Sequence, residues 1–275
     1  MGDWQTKGTA QQFSMVGNDI LARPKPVYPS LTANTKGFWV ELGTADIDAS
    51  AVTVMIPEGY GGTDYLVDIG IGPAGSEQVF IANLNISVGS SSYGDKVSFC
   101  SRLPVPIQSG TRIASRVQGT GTSSSRYVRV GVILEANGQA AGGRVVTIGA
   151  ATADSGGVII DPGAVDNTKG AWTEIVAASP ADLKAMIIGF GTAANTAMTN
   201  CTWLVDIGIG GAGSEQVLIP NIALAAHDYP DAVFPTHTPC FEVNIPISTR
   251  IAVRAACTIV DATDRKFDIV LYGIA

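Results

Sequence analysis

Tyr65–Ile86 reads YLVDIGIGPAGSEQVFIANLNI, and Trp203–Leu224 reads WLVDIGIGGAGSEQVLIPNIAL. By direct count, 15 of these 22 positions are identical. Agreement of this depth within one chain marks an internal repeat and predicts two copies of one fold. Each stretch holds an apolar run of strand length, a glycine-rich turn and a second apolar run, the pattern of neighbouring β-strands.

Further matching segments extend the repeat. Asn34-Thr35-Lys36-Gly37-Phe38-Trp39 matches Asn167-Thr168-Lys169-Gly170-Ala171-Trp172. Val105-Pro106-Ile107 matches Ile245-Pro246-Ile247, and Thr111–Arg116 matches Thr249–Arg254. Arg126–Val130 is aligned with Lys266–Val270. The offset between partners stays between 133 and 140 residues by direct count, so length changes fall in loops. Residues 1–24 are read as an N-terminal arm, 25–137 as the first domain, 138–142 as a linker and 143–275 as the second domain. The linker lies in the Gly/Ala-rich stretch Ala136–Gly143, whose composition is that of a flexible connection.

The predicted fold class is all-β: two tandem jelly-roll-like antiparallel β-sandwich domains from an internal duplication. Segments such as YVRVGVIL (Tyr127–Leu134) alternate with period two and are rich in β-branched residues. Turn signals recur between them, and each copy offers the strands that a sandwich needs. One helical turn is expected at Ser179–Lys184, where Pro180 follows a capping serine.

Charged residues make up only 15% of the chain, against about 25% in an ordinary globular protein. A charge-poor surface fits coverage by partner subunits, because interface centres are depleted of charge. The net charge is −7 and no cluster of basic residues is present, which argues against nucleic acid and against an electrostatic membrane anchor. The N-terminus lacks the apolar core of a classical signal peptide, and no apolar run is long enough to span a bilayer. Assembly in the cytoplasm is the expectation.

Candidate chemistry is sparse. Gly70-Ile71-Gly72-Pro73-Ala74-Gly75 and Gly208-Ile209-Gly210-Gly211-Ala212-Gly213 fit G-x-G-x-x-G. A dinucleotide loop must open a helix, whereas strand-like residues follow here, so a turn between antiparallel strands is predicted. The adjoining Ser-Glu-Gln is expected to satisfy backbone groups of that turn. Asp68 and Asp206 interrupt apolar strands; each is read as held by turn amides or facing solvent, since a lone buried acid is a poor catalyst. Arg112 and Arg116, with Arg250 and Arg254, share strand faces and are read as solvated. His227 and His237, with Asp228 and Asp231, make the one loop that resembles a metal or acid–base cluster, and an ordinary loop is the expectation. Cys100, Cys201, Cys240 and Cys257 show no zinc spacing and are read as free thiols. No catalytic, cofactor or metal residue is assigned.

The blocks VDIGIGPAGSEQV (Val67–Val79) and VDIGIGGAGSEQV (Val205–Val217), the Pro-Ile steps and the T-R-I-A-x-R strands resemble β-sandwich virion structural proteins of tailed bacteriophages. The resemblance covers most of the chain beyond about residue 30. It implies a multi-copy, non-enzymatic part of the virion, in capsid decoration or in the tail, baseplate or fibre, without a cofactor. Its partners would be itself, as a homo-oligomer, and other virion proteins. The alternative is a carbohydrate- or receptor-binding module of a tail protein, in which Tyr93, Tyr229, Trp203 or Trp172 stacks on host-surface glycan. An enzyme is the least supported class, since histidines are sparse and the two copies are unequal, and a fold alone does not decide function.

Overall fold

The computed structural model describes residues 12–17, 24–60, 64–87, 99–136, 138, 140–191, 201–226, 236–259 and 265–275. The first half runs through β1 (Phe13–Val16), β2 (Lys25–Val27), β3 (Val40–Thr44), β4 (Ala51–Tyr60), β5 (Asp64–Ile71), β6 (Gln78–Ser87), β7 (Phe99–Leu103), β8 (Arg112–Gly119) and β9 (Tyr127–Glu135). The second half runs through β10 (Val145–Ile148), β11 (Val158–Ile160), β12 (Thr173–Val176), β13 (Leu183–Gly191), β14 (Cys201–Ile209), β15 (Gln216–Ala226), β16 (Phe241–Ile245), β17 (Ile251–Cys257) and β18 (Phe267–Ile274). Among the described residues there is no helix. Where the sequence predicts a helical turn at Ser179–Lys184, the chain bends irregularly and enters β13 at Leu183. Leu183 pairs with Ile245, and Asp182 accepts a hydrogen bond from the Ile247 amide at 2.7 Å rather than serving a helix. Tertiary pairing overrides the local capping signal.

The chain forms two pairs of antiparallel sheets. In the first half one sheet has the order β1-β9-β4-β7, with β2 also on β9, and the other has the order β3-β8-β5-β6. The second half repeats both orders strand for strand, as β10-β18-β13-β16 with β11 on β18, and β12-β17-β14-β15. Each pair encloses an apolar core. Val54, Ile69, Val117 and Val132 lie in the first, and Ile188, Ile207, Val253 and Leu271 in the second.

Two features depart from the sequence reading. Phe13–Val16, placed in the N-terminal arm, forms β1 and pairs with β9. Its counterpart is β10: Val16 faces Val132 and Ile148 faces Leu271, and each strand ends in a glycine of positive φ, Gly17 at 87° and Gly149 at 84°. The same pairs show that the alignment of Arg126–Val130 with Lys266–Val270 is out by one residue. Val132, not Gly131, corresponds to Leu271. In a strand a slip of one moves every side chain to the opposite face. The structural register puts Val128, Val130 and Val132 into one core and Phe267, Ile269 and Leu271 into the other.

Candidate functional site

The residues most strongly shared between the halves meet on the outer side of the β3-β8-β5-β6 sheet and its twin. Asp68 sits where the β5–β6 register shifts between Val67 and Ile69. Such a bulge leaves a backbone amide unpaired in the ladder. Asn83 takes a left-handed conformation opposite it (φ 54°), and its N–H donates to Asp68 Oδ1 at 2.8 Å. Lys36 Nζ donates to the same oxygen at 2.7 Å, and Arg116 Nε to Oδ2 at 2.9 Å. The Arg116 guanidinium lies over the Trp39 ring, 4.4 Å from its centroid. The Trp39 ring crosses so close to β5 that a Cβ at Gly70 would stand 2.6 Å from it. This close approach gives the first glycine of the G-x-G-x-x-G pattern a packing role.

The second half reproduces each contact. Asp206 Oδ1 accepts from Lys169 Nζ at 2.7 Å and from the Asn221 amide at 2.9 Å, and Oδ2 accepts from Arg254 Nε at 3.0 Å. Arg254 lies 4.5 Å over Trp172, and a Cβ at Gly208 would meet that ring at 2.6 Å. Burial pushes the Asp206 carboxyl up, but its hydrogen bonds from Lys169, Asn221 and Arg254 hold it below the usual value. Burial pushes the Lys36 ammonium down, against the pull of Asp68.

A second rung adjoins each clamp. Arg112 pairs with Glu41 at 2.7 Å and Glu77 at 2.9 Å; Arg250 pairs with Glu174 at 2.7 Å and Glu215 at 2.9 Å. Asp68, Asp206 and the four arginines therefore differ from their sequence reading. The carboxylates are buried between two cations as well as an amide, and the arginines are held in ladders. Each ladder contains three cations and three carboxylates, so it is neutral and presents no unbalanced charge to a ligand. The sequence reading gave no ion-pair role to Lys36, Glu41, Glu77 and their twins, although each recurs in both copies at matching places.

The glycine turns join antiparallel strands, as predicted. Gly72, Gly75, Gly210 and Gly213 have φ between 80° and 111°, and Glu77 accepts the Gly75 amide at 3.0 Å.

The halves meet through β6 and the outer face of the β10-β18-β13-β16 sheet. Tyr272 Oη accepts from the Asn85 amide at 2.7 Å and donates to the Asn83 carbonyl at 3.0 Å. Asn85 Nδ2 donates to Asp268 at 2.8 Å, and Thr147 Oγ1 to the Ala82 carbonyl at 2.7 Å. His237 stacks on Tyr272, with ring centroids 5.1 Å apart, and its Nε2 lies 3.1 Å from the Asn85 carbonyl. Burial drives its pKa down to about 3, although that carbonyl opposes the shift. His237 is thus a neutral element of the contact between the halves. His227, Asp228 and Asp231 lie outside the described residues, as do Tyr93 and Tyr229. Among the described residues no cluster of His, Cys, Asp and Glu is arranged to hold a metal ion.

Trp203 is fully buried and donates its indole N–H to the Arg265 carbonyl at 2.9 Å, so it offers no platform to a sugar. Trp172 already carries Arg254 on one face. Cys201, Cys240 and Cys257 are free. The hydrogen bond between Cys201 and Cys257, with burial, pushes the Cys201 thiol up. The side chain of Cys100 lies outside the described set.

One exposed surface of the first half is apolar. Tyr28, Leu31 and Phe38 line an apolar groove of about 520 Å³, and Phe38 is 92% exposed. The matching positions after the repeated N-T-K-G hold Ala171 in place of Phe38. The chain matches no protein-family model and no curated protein.

Proposed function

We propose that this chain is a non-enzymatic structural component of a tailed-phage virion, assembled in many copies in the host cytoplasm through its β-rich surfaces. On this reading each half is a jelly-roll-like sandwich, and the two arose by internal duplication. The strand orders β1-β9-β4-β7 and β3-β8-β5-β6, repeated in the second half, support that reading, since jelly rolls build two facing sheets from interleaved strands. The motif resemblance points in the same direction.

The observation that carries the proposal is the exposed apolar groove around Phe38. An apolar patch rimmed by polar residues marks a surface that a partner covers. The carbohydrate-binding alternative gains nothing from Trp203 or Trp172.

The test is quantitative mass spectrometry of gradient-purified particles from a phage encoding this chain. Many copies per particle are expected, and their number should fall when Phe38 is replaced by serine. Particles that form normally without containing the chain would overturn the proposal.

A further inference from the structure

We propose that copies of this chain associate head to tail by repeating, between molecules, the contact that already joins the two halves. The edge strand β15 of one copy docks on the outer face of the β1-β9-β4-β7 sheet of the next. The occupant of each surface is a second copy of this chain, and the inference rests on the multi-copy reading above.

The argument starts from equivalence. Strands β6 and β15 end matching sheets, and neither carries a charged residue along its 10 or 11 residues. Exposed edges are normally guarded by charges, by proline or by a covering element. The β6 edge is covered: Asn85 is buried against the second half, and Ala82 and Asn83 are half-buried. On β15 the matching Pro220, Asn221 and Ala223 are all exposed. Pro220 is the sole guard on an otherwise uncharged edge.

The receiving surface is equivalent too. Beneath β6 lie Val145 and Thr147 of β10, with Tyr272 of β18. Their counterparts by register are Phe13, Met15 and Ile133. Phe13 is 59% exposed and Met15 54%, whereas their counterparts Val145 and Thr147 are half-buried. The charges on this face are internally matched: Arg102 pairs with Glu135 at 2.7 Å and Arg129 with Glu58 at 2.9 Å. Among the described residues, an uncharged edge therefore meets no unbalanced charge on this face. The donor edge and receiving face are different surfaces, so the contact is heterologous and builds a closed ring or an open chain.

The contact between Asn85 and Tyr272 maps onto Ala223 of one copy and Ile133 of the next. Because the Tyr272 ring spans this contact, a short bismaleimide rather than a direct disulfide is the probe: full-length Ala223→Cys is mixed with full-length Ile133→Cys, cross-linked, and the adducts are mapped by mass spectrometry. Sedimentation of the unmodified chain and of Ala223→Arg is measured in parallel. A 223–133 cross-link between copies is expected, with at least tenfold weaker self-association for Ala223→Arg and an unchanged melting curve. Association accompanied by 223–223 cross-links, or by no cross-link at the engineered positions, overturns the head-to-tail contact while multi-copy assembly stands. A chain that is monomeric at high micromolar concentration also overturns it, and the particle measurement then decides the broader proposal separately.

Discussion

The two halves agree where they face themselves and differ where they face something else. Both keep the same strand order, the same carboxylate between the same two cations, and the same tryptophan under the same arginine. They part company on the outer face of the sheet that begins with β1 or β10. In the second half this face is buried, with Asp268, Tyr272 and His237 fitted to β6. In the first half it exposes Phe13 and Met15. Internal ladders and cores are constrained by folding alone, so they stay alike; a face changes with what it must touch.

The most severe test of the shared part is removal of its buried carboxylate. Asp68→Ala leaves Lys36 and Arg116 beside an uncompensated cavity, and Asp206→Ala does the same to Lys169 and Arg254. Breaking a buried pair costs about 3 kcal/mol at the lower end of its range. The lower end applies because the arginine side chains are 30% exposed. Chemical denaturation should show similar losses for both variants. A loss confined to one half would break the equivalence of the ladders.

The contact between the halves should make stability depend on pH in a higher window than the ladder carboxylates, which act only near and below the ordinary carboxylate pKa. His237 has a folded pKa of about 3, below its ordinary 6.5. The folded state refuses the proton that the unfolded chain accepts, so this group's contribution is complete above pH 6.5. It is lost progressively as pH falls toward 3. At pH 5 the loss amounts to about 2 kcal/mol. His237→Gln keeps a donor for the Asn85 carbonyl but cannot take the proton. Its stability should fall less steeply between pH 6.5 and pH 4, and parallel slopes for the two proteins would remove His237 from the account.

Much of this comparison is legible in the sequence because the chain is its own alignment. Val67–Val79 against Val205–Val217 exposes the strands, the turn and the unexpected aspartate. What the repeat could not show was pairing across strands. Asp68 meets Lys36 and Arg116 only once β3 and β5 flank β8, which no local pattern encodes. The strand β1 escaped because Phe13–Val16 and Val145–Ile148 have no identical position in register. The one-residue slip in β9 had a similar cause: matching by residue type favoured Tyr127 with Phe267, while burial places Val128 there. His237 looked like part of a loop because its aromatic partner, Tyr272, comes from a distant strand.

Tyr272→Phe probes the same contact more gently. It strips the Asn85 amide and the Asn83 carbonyl of their shared partner. Unsatisfied buried backbone groups put the expected cost at about 1.5 kcal/mol. Ile133→Val, at the corresponding place on the open face, removes one methyl group from a half-buried side chain and should cost clearly less. Equal losses in thermal unfolding would mean that the two faces are loaded alike, contrary to the comparison.

The smallest effect on folding should come from the most exposed aromatic side chain among the described residues. Phe38 is 92% exposed and stands where the second half has Ala171. A surface substitution away from caps, cores and ion pairs usually changes stability by less than about 0.5 kcal/mol. Phe38→Ser should therefore leave the unfolding curve in place while shortening retention on a hydrophobic-interaction column, and Ala171→Phe should lengthen it. If Phe38→Ser instead costs as much as Tyr272→Phe, the groove serves the fold of its own half. It would then belong with the shared interior rather than with the face that differs.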